Sequence, residues 1–340
     1  MSAFAWRRAR SVAAVVTAVV LAGGAAACSG PEGGPAATEP STSAGTPSGT
    51  PSPTPVPTTA KPKPATGNPL TGGKVSGNPV IAVKVENTSA ARPQVGLSPA
   101  DIVFVQEVEG AQTRLVAVYH SRLPTRLGPV RSARTTDAQL LPLFGKPGLV
   151  YSGANGRVQR KLDGASLVPV FRLTRDRRRV APHNVFVDLQ QVARTEKLGE
   201  ARPIGWTFAG EPGQRGRRPD DTVVSKVGND TFGFAYARGR YTVTWRGARY
   251  VDGDNGAVAK ADNVVVMRVR NVPDGNRDVL GSASVLSETV GKGKVTVYRD
   301  GVKIDGAWSR SKSTAPLRFT DARGRDIALK PGQTWVTLQG

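Results

Sequence analysis

Three apolar runs, NPVIAVKVEN (78–87), DIVFVQEVEG (101–110) and TRLVAVYHS (113–121), specify most of the N-terminal architecture. Each run is rich in β-branched residues, and the first two end in Asn or Gly, a pattern typical of strands that stop at turns. We therefore predict three strands. Two shorter runs, LVYSG (149–153) and LVPVF (167–171), predict two more.

Helical patterns alternate with these strands, and they cover 137–144, about 156–163 and 188–198. Thr136, with Gln139 three residues later, predicts a capping box for the first helix, and Asp188 with Gln191 predicts the N-cap of the third. The alternation of strands with helices indicates an α/β (or α+β) domain over residues 67–205.

Helical periodicity almost disappears after Trp206. Runs such as YTVTWRGARYVDGDNG, NVVVMRVRNV and GKVTVYRDGVKIDGAW are short strands separated by Gly-rich turns at hairpin spacing. They predict a β-rich domain, a sandwich or a barrel, over 206–340. Each half of the chain has enough residues to form its own hydrophobic core.

The N-terminus has the pattern of an export signal. Residues 1–27 contain a basic start, an apolar stretch at 11–22 and a zone of small residues. The apolar stretch is shorter than the about 20 residues of a membrane-spanning helix, although a permanent anchor remains the alternative. Cys28 is the only cysteine, and Ala25-Ala26-Ala27-Cys28 resembles a lipobox. We predict acylation of Cys28, for example with palmitate; the alternative is ordinary cleavage that releases a free protein.

Residues 28–66 consist mostly of Pro, Thr, Ser, Gly and Ala. Such a composition buries too little apolar surface to offset the entropy of ordering the chain, so we predict a disordered stalk. Together with the lipid, the stalk would hold the folded part on the outer face of the cytoplasmic membrane.

The chain is strongly basic, with 47 Lys and Arg against 26 Asp and Glu and a net charge of +21. In an exported protein this balance favours anionic wall polymers, lipid headgroups or acidic envelope proteins as partners, and not nucleic acid. High-GC codon usage is the alternative explanation of the arginine content.

The loop GPVRSAR (128–134) concentrates Arg131, Ser132 and Arg134 just before a predicted helix. Arginine side chains suit carboxylate or phosphate oxygens, and a helix start adds amide donors, so the loop predicts an anion site. The alternative is that Arg131 and Arg134 pair internally with carboxylates and brace the sheet. The candidate carboxylates for that role are Asp101, Glu107 and Glu109.

APHN (181–184) adds His183 and Asn184 as candidate ligand contacts. A nucleophile and base pair of Ser132 and His183, with Glu109 as the orienting acid, is a further alternative, although no G-x-S-x-G elbow surrounds Ser132. We predict no cofactor and no metal, because His120 and His183 are the only histidines and no metal-binding motif is present.

Aromatic residues recur near the end of the chain at Trp308, Phe319 and Trp335. They could form a sugar-binding face, but aromatic residues in short β-domains are more often core.

A family resemblance rests on several long motifs in a fixed order: NPLTG (68–72), ARPQVGLSPADIVF (91–104), VEGAQTRLVAVYHS (108–121), LGPVRSAR (127–134) and APHNVF (181–186). The chain resembles the YerB-like bacterial lipoproteins, which have a two-part domain of unknown function, and residues 300–338 resemble the second part. The resemblance implies the architecture and an address in the cell envelope, and it implies no reaction.

These observations predict an extracytoplasmic binding or scaffolding module for an anionic ligand. Arg131, Ser132, Arg134, His183 and Asn184 would contact the ligand. Glu109 and Arg114 would hold these residues in position without contacting the ligand. One alternative is a wall-polymer hydrolase or transferase that uses His183 and the arginines. The other is a purely structural partner in an envelope complex.

Overall fold

The structure is a computed structural model that describes residues 67–213, 216, 222–278 and 281–340. The predicted signal peptide (1–27), the cysteine and the stalk (28–66) lie outside the described residues. No helix within the described ranges is long and apolar enough to cross a membrane.

Helices are few and short. In chain order they are α1 Thr135–Leu140, α2 Gly156–Asp163 and α3 Leu189–Thr195, with 3-10 turns at Ser89–Ala91, Glu109–Ala111 and Leu141–Phe144. The strands before residue 205 are β1 Ile81–Glu86, β2 Ile102–Glu107, β3 Thr113–Tyr119, β4 Gly148–Val150, β5 Val168–Val170, β6 Thr174–Arg175 and β7 Val185–Phe186. The later strands are β8 Thr222–Val227, β9 Asp230–Ala237, β10 Arg240–Trp245, β11 Ala248–Arg249, β12 Lys260–Ala261, β13 Asn263–Arg268, β14 Asn271–Arg277, β15 Ala283–Ser287, β16 Gly291–Arg299, β17 Val302–Arg310, β18 Arg318–Asp321 and β19 Thr334–Gln339.

Within the described residues, ten strands form one mixed sheet in the order β18-β17-β16-β13-β19-β2-β3-β1-β4-β5. Strand β19 lies between β13 and β2 and is parallel to both. Strands β8 to β12 form a separate small sheet, and β14 with β15 and β6 with β7 form two ribbons. The N-terminal part is thus mixed α/β and the C-terminal part is rich in strands.

The expectation that each half forms its own core, with a sandwich or barrel after 206, is wrong. Five C-terminal strands extend the N-terminal sheet, and both apolar clusters contain residues from both halves. One cluster joins Phe104 to Leu338, and the other joins Val103 to Trp335. The alternating pattern of a strand shows which side chains are buried but does not identify the strand's neighbour.

The late aromatic residues belong to this core. Trp308, Phe319 and Trp335 are at most 3% exposed, and Phe319 lies against Trp206 with ring centroids 5.5 Å apart. They therefore do not form a surface for sugars.

The predicted helices are present, although α1 starts earlier than predicted and α1 and α3 end earlier, at Leu140 and Thr195. Helix α1 begins two residues before the predicted start, and Arg134 is its N-cap residue. The Asp137 carboxylate, three residues into the helix, accepts a hydrogen bond from the Arg134 backbone amide at 2.7 Å. Gln139, the predicted partner, instead accepts the backbone amide of Thr289 at 2.6 Å. Asp188 caps α3 as predicted, since its Oδ1 accepts the Gln191 amide at 3.0 Å.

The direction of the strands gives the sheet two distinct ends. In the described sheet β1, β2, β4, β5, β13 and β19 all run the same way. We call the side where these strands start the amino end and the side where they finish the carboxyl end.

The chain enters the folded body at the amino end. Asn68 Oδ1 accepts the Leu70 amide at 2.9 Å, and Asn68 Nδ2 donates to Ser121 Oγ, just after β3, at 3.0 Å. Leu70 is fully buried in the core. This turn fixes the point where the preceding segment joins the body.

Candidate functional site

Charged side chains interrupt the apolar pattern where β1, β2 and β3 meet the carboxyl end. Lys84 and Glu86 alternate with Val83 and Val85 in β1, and both charged residues are at most 2% exposed. Arg114 of β3 lies opposite Glu86 on one side. On its other side, in β2, it lies opposite Gln106. A polar row therefore crosses three strands on the face that packs against α1.

The loop GPVRSAR continues the sheet beside the end of β1. The Glu86 amide donates to Pro129 O at 2.9 Å, and the Arg131 amide donates to Lys84 O at 2.8 Å. Val130 pairs with Val85 and joins the apolar cluster on one face. Because successive side chains alternate, Arg131 points to the other face, where Glu86 lies.

Glu86 brings the two predicted motifs together. Its Oε1 lies 3.5 Å from Arg131 Nε, and its Oε2 lies 2.9 Å from His183 Nδ1. Thr88 also donates to Oε1 at 3.0 Å. The Arg131 and His183 side chains are 25% and 24% exposed, whereas Glu86 is 2% exposed. GPVRSAR and APHN thus converge on a buried carboxylate, with Arg131 and His183 at the surface.

Arg134 forms a closed ion pair with Glu109. Its Nη2 donates to Glu109 Oε2 at 2.7 Å, and its Nε lies 2.5 Å from Oε1. The two side chains are 11% and 6% exposed. Burial alone raises the pKa of Glu109, but the hydrogen bond and charge of Arg134 outweigh it and leave the pKa below its ordinary value. Arg134 therefore has the bracing geometry of the alternative interpretation.

Arg114 is a cation without a carboxylate hydrogen bond in the described residues. Its Nη1 donates to the carbonyl oxygen of Ser132 at 3.0 Å. Burial, followed by the positive charge of Arg134, lowers the pKa of Arg114 to about 9, although Glu109 and Glu86 oppose the change. The side chain stays charged at neutral pH.

Lys84 and Asp137 form the fully buried ion pair of this group of charged side chains. Lys84 Nζ lies 2.9 Å from Asp137 Oδ1, both side chains are fully buried, and Gln106 donates to the same oxygen at 2.7 Å. Burial lowers the pKa of Lys84 to about 8, against the opposing effect of Asp137. The cluster then contains four cations, Lys84, Arg114, Arg131 and Arg134, and three carboxylates, Glu86, Glu109 and Asp137.

Several predicted residues have other roles. Asn184 accepts a hydrogen bond from Arg175 Nη1 at 3.3 Å, within its own hairpin. Ser132 contributes a carbonyl oxygen to Arg114, and the carboxylate beside His183 is Glu86, not Glu109. The proposed Ser132, His183 and Glu109 triad is therefore not assembled.

Glu107 and Asp101, the two other carboxylates considered as partners of the arginines, bind other groups. Glu107 accepts a hydrogen bond from Asn271 at 2.9 Å. Asp101 accepts the backbone amides of His120 and Ser121, at 2.6 and 2.8 Å. The described residues contain no group of three side chains suited to a metal ion.

Sequence reasoning missed Lys84, Glu86 and Asp137. The signal was present in VKVE (83–86), where two charges occupy alternate positions of an otherwise apolar run. Charged residues on the buried face of a strand need partners, so this pattern predicts an internal ion-pair cluster.

Comparisons with known proteins come from family models, a curated relative and a solved structure. The model described as "Protein of unknown function (DUF3048) N-terminal domain" matches residues 65–201. The corresponding C-terminal domain model matches residues 221–336.

The chain is 26% identical to "Putative lipoprotein YerB" of Bacillus subtilis (strain 168) over 294 residues, covering 79% of this chain and 85% of that protein. The crystal structure of YerB from Bacillus subtilis has a TM-score of 0.66 and 23% identity, covering 80% of this chain and 95% of that one. The structural match shows that the fold is shared.

Proposed function

The chain belongs to the family of proteins that carry the two-part DUF3048 domain, and from that premise we propose that it is an anchored lipoprotein of the cell envelope that binds an anionic ligand. The anchor would be acylated Cys28, with residues 28–66 as the tether. The curated relative named a lipoprotein supports this address. The ligand would bind at the cluster around Glu86.

The excess of cations in the cluster is the observation that carries the proposal. Four basic side chains share three carboxylates, and within the described residues Arg114 donates a hydrogen bond only to a carbonyl oxygen. A desolvated cation without a matched anion costs free energy. A phosphate or carboxylate group from a ligand would offset that cost.

The position of the cluster supports the same proposal. Glu86 ends β1, Glu107 ends β2, and GPVRSAR follows them at the carboxyl end of the sheet. In open α/β sheets, ligands commonly bind outside the carboxyl ends of the strands. The helix start itself adds little, because Asp137 already accepts an amide there.

The side chains divide into ligand contacts and supports. Arg131 and His183 are the partly exposed members, and Arg131 lies at a long 3.5 Å from its carboxylate. We assign them, with Arg114, to the ligand, and Ser132 and Asn184 to the surrounding rim. Arg134 and Glu109 hold the loop in place.

The test compares Arg131→Ala with Arg122→Ala, which removes an exposed charge at the amino end of the sheet. Inorganic tripolyphosphate is the probe, and calorimetry measures its binding. We expect Arg131→Ala to lose roughly 1.5 to 3 kcal/mol of binding, the range for a charged hydrogen bond. Arg122→Ala should lose about 0.2 to 1 kcal/mol at most, the range for an exposed charge.

The melting temperature separates ligand binding from bracing. Glu86 keeps His183 and Thr88 as partners when Arg131 is removed, so the melting temperature should change little. A large fall in melting temperature, with binding no weaker than in Arg122→Ala, would show that Arg131 only braces the sheet.

One observation favours the enzymatic alternative, a hydrolase or transferase acting on a wall polymer. A histidine held by a carboxylate at 2.9 Å has the arrangement of a general base. Incubation of wall polymer with the wild type and with His183→Ala tests it. Equal, undetectable product release from both would refute this second function.

A further inference from the structure

The segment from Arg172 to His183 is an arginine-rich hairpin that the candidate site does not include, apart from His183. It contains five arginines and one aspartate, and strands β6 and β7 form its stem. Arg177 and Arg178 are exposed at its tip, where Arg178 also pairs with Asp176 at 3.1 Å, and Arg175 is exposed in β6. Val180, which is 81% exposed, follows the tip.

The hairpin is held firmly against the body. Arg179 donates to the carbonyl oxygens of Ala91 at 3.2 Å and Pro93 at 2.6 Å. Its guanidinium carbon lies 5.4 Å from the centre of the Phe186 ring, and that of Arg126 lies 4.5 Å from the same ring. Arg126 also pairs with Asp176 at 2.5 Å. The exposed arginines therefore project from a fixed support.

The hairpin and the candidate site lie at the same end of the molecule. His183, at the base of the hairpin, contacts Glu86 at 2.9 Å, and the Val130 amide of GPVRSAR donates to Val185 O of β7 at 2.7 Å. The turn formed by Asn68 and Leu70, where the described chain begins, lies at the opposite, amino end. The basic surface thus lies at the end of the sheet away from this turn.

We infer that the exposed arginines of this hairpin are a second contact surface for the same ligand, and that the ligand is a long phosphate-bearing polymer, not a small anion. The inference rests on the proposed function. One phosphate group would bind at Arg131 and Arg114, and neighbouring groups of the same polymer would bind Arg175, Arg177 and Arg178. The charge is complementary, and a repeating polyanion is the partner that can reach both places at once.

The experiment uses residues 28–340 with Cys28→Ala, so that no acyl chain contributes to binding. It compares Arg177→Ser/Arg178→Ser with a control, Lys74→Ser/Arg122→Ser, which removes two exposed charges at the amino end. The probes are tripolyphosphate and long linear polyphosphate. We expect the hairpin variant to bind long polyphosphate roughly tenfold more weakly, as for two exposed charge contacts. Its affinity for tripolyphosphate should not change.

Salt dependence gives a second measurement. The slope of log affinity against log salt should fall by about 0.7 to 0.9 for each phosphate contact removed, by analogy with nucleic acids. With long polyphosphate, the slope measured for the hairpin variant should therefore be smaller than that of the parent chain by about twice this amount. The control variant should keep the slope of the parent chain.

Two results would overturn the inference. Equal losses in the two double variants would mean that only net charge matters. A loss of binding to phosphatidylglycerol vesicles, with polyphosphate binding unchanged, would mean that the hairpin and Val180 meet a lipid surface. Failure of the proposed function looks different, because Arg131→Ala would then bind tripolyphosphate as well as the control does.

Discussion

Glu86 illustrates how one buried carboxylate organises a surface. It lies at the end of an apolar strand and contacts Arg131 on one side and His183 on the other. These two residues lie 52 positions apart in the sequence. A pair of surface side chains is thereby held by a single internal group, and a ligand could engage both without rearranging the sheet.

Arg134 and Glu109 are expected to stabilise the fold and not to contact ligand. Arg134→Met leaves a carboxylate that is 6% exposed without its ion-pair partner, which should lower the free energy of unfolding by about 3 to 5 kcal/mol. Arg134→Met/Glu109→Leu removes both charges and should recover most of that loss. Chemical denaturation measures all three chains. A single variant as stable as the parent would contradict the bracing role.

Strand β19 connects the two halves of the chain at the level of elements. It pairs with β13 over its whole length and with β2 from Thr334 to Thr337. Trp335, fully buried on one face, contacts Phe234 of β9 and Tyr250, which directly follows β11, with ring centroids 6.3 and 5.6 Å away. The first family model ends at residue 201 and the second begins at 221. Strands from both matched regions nevertheless belong to the same ten-stranded sheet.

Separated halves should therefore not fold alone. Residues 67–205 would lack β19 and leave one side of β2 unpaired, and residues 206–340 would lack β2, one of the two partners of β19. Each piece should show little cooperative unfolding by circular dichroism. Co-expressed, the pieces should associate and recover it. Two cooperative transitions from the isolated pieces would contradict this expectation.

Local sequence predicted the elements well and their assembly poorly. The runs at 78–87 and 101–110 indicate β1 and β2 because β-branched residues act within one strand. Nothing in QTWVTL indicates that it pairs with β2, since parallel pairing joins distant segments. The site shows the same limit. The sequence indicates Arg131 and His183 as candidate ligand contacts by their residue type. It does not show that Glu86, a charged residue within an apolar run, contacts both of them.

At the scale of the described molecule, the turn where the folded part begins is separate from the proposed binding surface. The chain enters at the amino end of the sheet through the Asn68 turn, and the basic cluster and hairpin lie at the carboxyl end. The Asn68 turn and the basic cluster are therefore separated by the length of the strands in the described sheet.

The proposed anchor has a direct test. Cys28→Ala removes the acylated thiol, so the protein should move from the membrane fraction to the medium or remain unprocessed. Fractionation followed by mass spectrometry of the N-terminus measures this. Retention in the membrane fraction, with no lipid adduct on the wild-type chain, would refute the lipoprotein assignment.

The central place of β19 also sets an order of events in time. A chain that is made from its N-terminus presents β2 long before β19, and the two strands pair only when residues 334–339 have emerged. Until then the apolar strand VFV (103–105) has an unpaired side, the kind of segment through which chains associate wrongly. Such non-local pairing also slows folding. The interval of greatest risk for this protein therefore ends when its final strand becomes available, and faster delivery of that strand would shorten the interval.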